Sequence, residues 1–383
     1  MAFDARAEST TRTPTLQTPR NGDLPSKARK LPYLPGRGLR WLARFLEVAR
    51  CYMKEIRACI GHFPLEVVLF GLRRGFAADR VLLYGRDAVQ SGRYLSDLQR
   101  QFSRFINPKP VRELLEDKLL FESLAKQFVR VPRNYLYCDN KRLVVLTDEW
   151  PEIALSDNSS QQKRFVMKRS RGGGGVGISF VDVKPESVLV DDTPMTLDRF
   201  YEVFKERDDR ILCEFIQQSD FCALIYPHTT NSIRVICMRD RDGEPFIARA
   251  VLRLGTTQSK GVDNFGRGGL SVDIDLETGK LGTAVQHNAK SPRAPLVYEN
   301  HPDTGAPLRG QSLPRWGEAR DRSLLLMRQL PFINYVGWDI ILTEQDPVFL
   351  EGNNYTGVRL AQAHSGLLDE PRICDFYRRF GII

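Results

Sequence analysis

With 383 residues, of which 42% are hydrophobic and 27% charged, the chain is long enough for two or three lobes and has the composition of an ordinary soluble protein. No stretch approaches the roughly 18 uninterrupted apolar residues of a membrane-spanning helix, and the first residues lack the apolar segment of a secretory signal. The seven cysteines are scattered without paired spacing, which predicts reduced thiols and a cytoplasmic protein.

The net charge of +9 is concentrated near the N-terminus. Residues 1–60 carry 12 Lys and Arg against 5 Asp and Glu, a surplus of +7 that leaves +2 for the rest of the chain. Such a segment attracts nucleic acid, an anionic membrane or an anionic polymer. The simpler interpretation is a solvated, partly disordered tail. Because basic and aromatic residues are not interleaved there on a separate domain, we expect no nucleic-acid binding.

Residues 1–36 are rich in Thr, Pro, Arg and Ser, which predicts a disordered basic tail. From Leu39 to about Arg74, apolar residues recur at helical spacing, with basic residues on much of the other face. We expect these amphipathic helices to pack on the chain's own core; docking to a membrane surface or a partner protein is the alternative. Further helices are predicted over 93–105 and over 111–127.

Four consecutive glycines, Gly172 to Gly175, lie between two predicted strands, the first of which contains Lys168. Glycines cost backbone entropy, but they suit a loop that wraps closely round phosphate oxygens and presents N–H donors to them. A flexible hairpin tip is the alternative, although it does not explain the lysine just before the loop. The pattern predicts a phosphate-binding loop.

The strands that follow carry isolated charges. Glu214 is the one charge in the apolar strand predicted over 211–216, whose backbone and carboxylate would hydrogen-bond an adenine; a surface glutamate is the alternative. Arg234 and Arg253 lie on a hairpin predicted over 232–238 and 245–254, and a polar loop over 261–269 contains Asn264. Residues 288–317 are predicted to form a long loop that orders over a substrate.

A second hairpin, over 336–342 and 348–352, is predicted to fold about Gln345. Asp339 then lies opposite Glu351, with Asn353 on the same face as Glu351. Opposed carboxylates destabilise a sheet unless a cation lies between them, and a small group of hard oxygen ligands suits Mg²⁺. Taken alone, the pattern is equally compatible with solvent-facing side chains.

In this order the elements resemble the ATP-grasp fold, and most closely the sugar-transfer associated ATP-grasp family. The C-terminal half is also similar to the amino-acid ligases that glutamylate ribosomal proteins. The matching elements are Ile233-Arg234, Arg253, Asn264 with Gly268-Gly269, Trp338-Asp339-Ile340 and Leu350-Glu351-Gly352-Asn353. The resemblance covers roughly residues 85–380.

The resemblance implies an α+β ATP-grasp fold, in which two α+β lobes clamp ATP, preceded by a helical N-terminal region. The expected division is a tail over 1–36, a helical region over 37–110 and an ATP-grasp domain over 111–383. Within that domain we expect a small lobe over about 135–212 and a large lobe over about 213–383.

Site residues follow from the resemblance as expectations. Asp339, Glu351 and Asn353 would bind Mg²⁺, while Arg234 and Arg253 would act as catalytic residues around the γ-phosphate and the acyl phosphate. The nucleotide would be bound by Lys118, Lys168, Gly172, Gly173, Gly174, Gly175, Glu214, Ile216, Asp220 and Asn264. A lysine on a helix face is the alternative for Lys118. Two departures from the pattern are Gly352, where a β-branched residue is usual, and Tyr355-Thr356-Gly357 in place of Pro-Gly.

The activity implied by the resemblance is that of an ATP-dependent carboxylate–amine ligase. A small-molecule carboxylate would attack the γ-phosphoryl group, and an amine would capture the acyl phosphate to give an amide, ADP and phosphate. A sugar acid or an amino-acid-containing precursor is the candidate substrate, and the sugar is suggested by the family description alone. The alternatives are a phosphotransferase and a non-catalytic nucleotide-binding partner of a polysaccharide assembly. Assembly as a homodimer is left open.

Overall fold

The computed structural model describes residues 37–150, 163–172, 177–184 and 187–383, and the predicted tail lies outside the described residues. The chain separates into two units, residues 1–45 and 46–383, and the sheets and the site below belong to the second. Nowhere in the described ranges is a helix long and apolar enough to cross a membrane. All seven cysteines are unpaired, as predicted.

Helices form the chain as far as residue 125: α1 (Arg37–Cys59), α2 (Leu65–Leu72), α3 (Ala78–Tyr84), α4 (Arg86–Gln90), α5 (Asp97–Ser103), α6 (Lys109–Glu116) and α7 (Lys118–Ala125). Ser96 is the N-cap of α5 and forms a capping box with Gln99. The amphipathic pattern predicted from Leu39 is confirmed as α1 and α2, whose buried faces share one hydrophobic cluster.

The single helix predicted over 111–127 is wrong, because it breaks at Asp117. This residue has an extended backbone, and its carboxylate accepts from the N–H of Leu119 at 3.0 Å, capping α7. The break also lets Asp117 bridge to Arg171 at the start of the glycine loop. Asp117, the N-cap of α7, thus holds the residue that precedes the glycine loop.

The first sheet contains seven described antiparallel strands in the order β2-β1-β7-β3-β4-β5-β6. These are β1 (Asn134–Asp139), β2 (Arg142–Val145), β3 (Lys163–Arg169), β4 (Ser179–Lys184), β5 (Ser187–Val190), β6 (Thr193–Met195) and β7 (Arg210–Glu214). Helix α8 (Leu197–Glu206) packs on this sheet through Phe200 and Phe204, which are fully buried. Strand β7 ends at Glu214, two residues before the end of the strand predicted over 211–216.

The second sheet also contains seven described strands, in the order β12-β11-β10-β9-β8-β13-β14. They are β8 (Ser232–Arg239), β9 (Pro245–Leu254), β10 (Arg267–Ile274), β11 (Leu281–Asn288), β12 (Leu296–Tyr298), β13 (Tyr335–Leu342) and β14 (Pro347–Asn353). Strand β12 lies within residues 288–317, so the prediction of a continuous loop there is wrong. The remaining helices are α9 (Asp220–Ile225), α10 (Trp316–Gln329), α11 (Arg359–Gln362) and α12 (Pro371–Arg379).

Two hydrophobic clusters cover the second sheet. One includes Phe121 of α7 and Leu326 of α10, and the other includes Phe376 of α12. Every residue of β8 and β13 is buried, as expected for central strands covered on both sides. Charged side chains on these two strands are therefore buried as well.

Strands β13 and β14 form the predicted hairpin, with Asp339 paired to Glu351 and Gly337 paired to Asn353. Nearer the turn the register changes by one, since Ile340 pairs with Phe349. Leu350 is the extra residue of this β-bulge. The bulge makes the two carboxylate-bearing residues direct neighbours.

Candidate functional site

Asp339 is at the centre of the site, because β13 places it opposite Arg234 of β8 as well as opposite β14. Arg234 donates from Nε to Oδ1 and from Nη2 to Oδ2, the latter at 3.0 Å. Nη2 of Arg253 lies 3.2 Å from the same Oδ2. Although burial opposes its ionisation, the two guanidinium groups lower the pKa of the Asp339 carboxyl below its usual range. Asp339 is therefore a buried, fully paired carboxylate.

Arg253 has a second carboxylate partner, Asp263, whose Oδ2 lies 3.1 Å from its Nη2. Its Nε donates to the hydroxyl of Ser232 at 2.9 Å. Burial opposes its charge, but Asp263 and Asp339 raise the pKa of the guanidinium. The sequence analysis predicted no role for Asp263. Its neighbour Asn264 uses its own side chain to fold the loop, with Oδ1 accepting from a backbone N–H at 2.9 Å.

Lys118 joins the glycine loop to the hairpin. Its Nζ donates to the carbonyl of Gly172 at 2.7 Å and lies 3.0 Å from Oε2 of Glu351. Of the predicted loop glycines, Gly172 is described, while Gly173, Gly174 and Gly175 lie outside the described residues. The lysine is 9% exposed, so it is a buried side chain between two parts of the site rather than one on a solvent-facing helix surface.

A narrow cleft between the two sheets brings Lys118 and Lys168 together. Both lysines line it with Leu350 of β14, and the other lining residues are Phe121, Glu122, Val131, Pro132 and Asn134. Ile216 is buried in a small apolar cluster that also contains Ile341 and Val348, with Leu350 packed against it. The cleft thus has cationic groups beside an apolar floor.

Glu214 and Asp220 lie beyond this cleft with partners of their own. The carboxylate of Glu214 accepts from Nη2 of Arg130 at 3.0 Å and from the backbone N–H of Arg133 at 3.3 Å. Asp220 is exposed at the first residue of α9, where its N–H donates to the carboxylate of Glu344 at 2.7 Å. Neither side chain contacts the cluster around Asp339 in the described structure.

A cavity of about 190 Å³ lies beside Glu351. It is lined by Leu115, Glu116, Gly172, Glu351, Gly352, Asn353, Asn354 and Tyr355. The hydroxyl of Tyr355 is buried, and the guanidinium groups of Arg100 and Arg104 lie over its ring, 3.9 and 4.7 Å from the ring centre. Glu116 stays accessible at the cavity, yet partial burial raises the pKa of its carboxyl. The sequence marked Tyr355 as a departure from the family pattern, but it gave no signal for Glu116.

The donors around this cavity fit Mg²⁺ in part. Glu351 and Asn353 both line it, and the amide nitrogen of Asn353 donates to the Gly337 carbonyl at 3.2 Å, leaving its oxygen as a metal donor. Asp339 fits less directly, because both of its oxygens accept from guanidinium groups. Within the described ranges no group of three or more His, Cys, Asp or Glu is placed to hold a metal. The donors suit an ion that arrives with a phosphate ligand.

The departure at Gly352 has a packing explanation. A Cβ atom there would lie 2.8 Å from a methyl carbon of Leu115 and 2.8 Å from the ring of Trp338. Trp338 is the cross-strand partner of Gly352 and is fully buried. Its ring takes the space that a β-branched side chain would otherwise fill.

Gly352→Val is therefore expected to lower the free energy of unfolding by about 1–3 kcal/mol through overpacking. In a Leu115→Ala background the cost of Gly352→Val should be smaller, since one of the two clashing groups is absent. Urea unfolding of the parent, the single variants and the double variant measures both effects. If Gly352→Val is as stable as the parent, the Trp338 ring does not limit this position.

Comparison with known proteins decides the family. The model of the sugar-transfer associated ATP-grasp family matches residues 97–374. The chain belongs to this family. The recognition made from the sequence is confirmed, and so is the α+β ATP-grasp fold preceded by a helical N-terminal region. No curated protein sequence is significantly similar to the chain.

Solved structures similar to this ATP-grasp protein include three synthetases and ligases. N5-carboxyaminoimidazole ribonucleotide synthetase in complex with ADP is 10% identical, over 68% of this chain and 53% of that chain, with a TM-score of 0.37. D-alanine–D-alanine ligase from Bacillus anthracis is 16% identical, over 70% and 68%, with a TM-score of 0.37. L-amino acid ligase from Bacillus licheniformis is 10% identical, over 66% and 44%, with a TM-score of 0.36. The chain thus spans about half the length of the first and third, and these similarities are too distant to transfer an activity.

Proposed function

We propose that this protein is an ATP-dependent ligase that joins a carboxylate to an amine through an acyl phosphate. The observation that carries the proposal is the chain of charged contacts from the glycine loop to the hairpin. Lys118 contacts both Gly172 and Glu351, and Glu351 pairs across the hairpin with Asp339, which two arginines neutralise. Such a cluster can hold a polyanion next to a carboxylate–amide pair of metal donors.

ATP would bind in the cleft between the two sheets. Lys118 and Lys168 supply positive charge for the phosphates, while Leu350 and Ile216 supply an apolar surface for adenine. When ATP binds, Nζ of Lys118 would exchange its contact with Gly172 or Glu351 for a contact with a phosphate oxygen. Gly172 to Gly175 would cover the phosphates with backbone N–H donors. We keep Glu214, Asp220 and Asn264 as proposed nucleotide-binding residues at the margin of the site.

Glu351 and Asn353, with Asp339 behind them, would hold Mg²⁺. The ion would lower the negative charge of the phosphoryl group that is transferred. The two arginines have different surroundings: Arg234 is bonded to Asp339 and to the hydroxyl of Thr356 at 2.9 Å, which suits a positioning role. The side chain of Arg253 is more exposed, at 16%, and is the better candidate for contact with the γ-phosphate.

The proposed reaction has two steps. A substrate carboxylate oxygen attacks the γ-phosphorus and ADP leaves; an amine then attacks the acyl carbon and phosphate leaves, with one amine proton lost to a base. The cavity beside Glu351 would hold the reacting groups, and Glu116 is a carboxylate placed to take that proton. The family description supports a sugar acid as the carboxylate substrate, with an amino-acid-containing precursor as the other candidate, and seven unpaired cysteines support a cytoplasmic enzyme.

Release of ADP from Mg-ATP, measured against panels of small carboxylates and amines, tests the proposal. We expect turnover that requires both a carboxylate and an amine, and a product whose mass is their sum less one water. ADP release with a carboxylate or alcohol alone, yielding a phosphorylated product, would instead identify a phosphotransferase. Absence of ATP binding in calorimetry with Mg²⁺ present would contradict both activities.

A further inference from the structure

Large apolar side chains on and next to two N-terminal helices remain exposed among the described residues. Leu46 and Met53 of α1 are 59% and 40% exposed, and Ile60, which directly follows this helix, is 63% exposed. On α2, Leu65, Leu69 and Leu72 are 70%, 43% and 38% exposed. Leu46 and Met53 on α1, and Leu65 and Leu72 on α2, are seven residues apart and therefore lie on one face of their helix. We call these six side chains the α1–α2 surface.

These exposed side chains are additional to the faces with which the helices pack. Val48, Tyr52 and Ile56 of α1 are buried in one cluster with Val67 and Val68 of α2. The helices therefore already have a hydrophobic contact with the rest of the unit. Single exposed apolar residues are ordinary, but six large ones between residues 46 and 72 indicate a region that can bind an apolar partner.

Basic residues share the solvent-facing side of these helices. Arg50 and Arg57 alternate with the exposed apolar residues of α1 at helical spacing, so that Leu46, Arg50 and Met53 lie on one face. Lys54 and Arg73 are exposed too, and none of the four basic residues has an ion-pair partner among the described residues. The uncompensated charge on this side is positive.

The acidic residues of the same two helices do not offset this charge, because each is paired. Glu47 lies 3.2 Å from Nη1 of Arg104, and Glu66 lies 3.0 Å from Nη2 of Arg86. Glu55 accepts from the amide of Gln101 at 2.8 Å and lies near two further arginines. The surface thus combines apolar side chains with positive charge alone.

We propose that the α1–α2 surface docks this protein on an anionic membrane. A lipid bilayer satisfies both features, since acyl chains take up the leucines and anionic headgroups attract the arginines and lysines. A second copy of the chain would bring the same positive charges together, which disfavours a symmetric contact through this surface. The surplus of +7 over residues 1–60 favours the same partner.

Co-sedimentation of the full-length protein with lipid vesicles tests the proposal. We expect binding to vesicles of phosphatidylcholine with phosphatidylglycerol, little binding to phosphatidylcholine alone, and weaker binding as salt is raised. Leu65→Gln with Leu69→Gln should lower partitioning by about tenfold or more, and Arg50→Gln with Arg57→Gln should do so for anionic vesicles. Circular dichroism checks that the helices remain folded.

A matched control is Leu296→Gln with Val297→Gln on β12, where the two side chains are 54% and 61% exposed. This variant should bind vesicles like the parent. The proposal is overturned if the parent binds neither vesicle type, or if the α2 leucine variant binds as well as the β12 variant. It is also overturned if the leucine variant abolishes only a concentration-dependent dimer. None of these outcomes depends on the proposed ligase activity.

Discussion

Replacing Glu351 with glutamine is expected to lower ATP turnover by about 10²- to 10³-fold. In the proposed function this carboxylate neutralises the charge of Lys118 and donates an oxygen to Mg²⁺. A neutral amide is a poorer ligand for Mg²⁺ than a carboxylate. The substitution is nearly isosteric, and a glutamine oxygen can still accept from Lys118, which lies 3.0 Å from Oε2. Steady-state ADP release at saturating Mg-ATP measures the loss, and thermal unfolding shows whether the fold is retained.

Asp346→Asn supplies the matched control, because it removes one carboxylate from the turn of the same hairpin, where the side chain is exposed. It should leave turnover unchanged. Asp339 is less informative than Glu351, since its loss would leave the buried charge of Arg234 uncompensated, remove one of the two carboxylate partners of Arg253 and destabilise the fold. A Glu351→Gln protein that turns over ATP at the parent rate would remove this residue from the metal site.

The sequence predicted the correct pairing of Asp339 with Glu351, but it gave no sign of the β-bulge on which this register depends. Folding about Gln345 pairs positions that sum to 690, whereas the residues next to the turn pair as Leu342 with Pro347. The β-bulge at Leu350 restores the predicted register at Asp339 and Glu351. Periodicity and turn residues identify a hairpin, but an inserted residue inside a strand leaves no mark on either.

Other parts of the site depend on contacts between residues far apart in sequence. The break at Asp117 overrides a continuous helical pattern because its carboxylate caps α7 and pairs with Arg171, 54 positions away. The packing of Trp338 against Gly352 is likewise invisible as a pattern. The resemblance supplied residue types and their order, and tertiary contacts decided which of them meet.

The helical N-terminal region is joined to the second sheet by a buried ion cluster that the sequence did not suggest. Asp79 of α3 is 2% exposed and accepts from Arg80, while Nη1 of Arg359 lies 3.3 Å from its Oδ2. The ring of His287 on β11 lies 3.8 Å from the same oxygen. Arg80 also lies 3.1 Å from Asp97 of α5. Arg359 lies four residues after Tyr355, which lines the cavity beside Glu351.

Asp79→Asn is expected to lower the free energy of unfolding by about 3–5 kcal/mol near pH 7, because it removes the carboxylate partner of Arg359 and one of the carboxylate partners of the buried Arg80. Although burial opposes ionisation, Arg80, His287 and Arg359 lower the pKa of the Asp79 carboxyl. A lowered pKa stabilises the folded state above the unfolded-state value of about 3.9, and this contribution is lost as the pH falls further.

The difference between parent and variant in urea unfolding should therefore be constant from neutral pH to about pH 5 and shrink below about pH 4. Asp87→Asn on α4, where the side chain is exposed, should change stability by less than about 0.5 kcal/mol at any pH. A difference for Asp79→Asn that stays constant down to acid pH would assign its effect to packing. A shrinking difference assigns it to the buried charge, and ties the contact between α3 and Arg359 to the ionisation of one carboxylate.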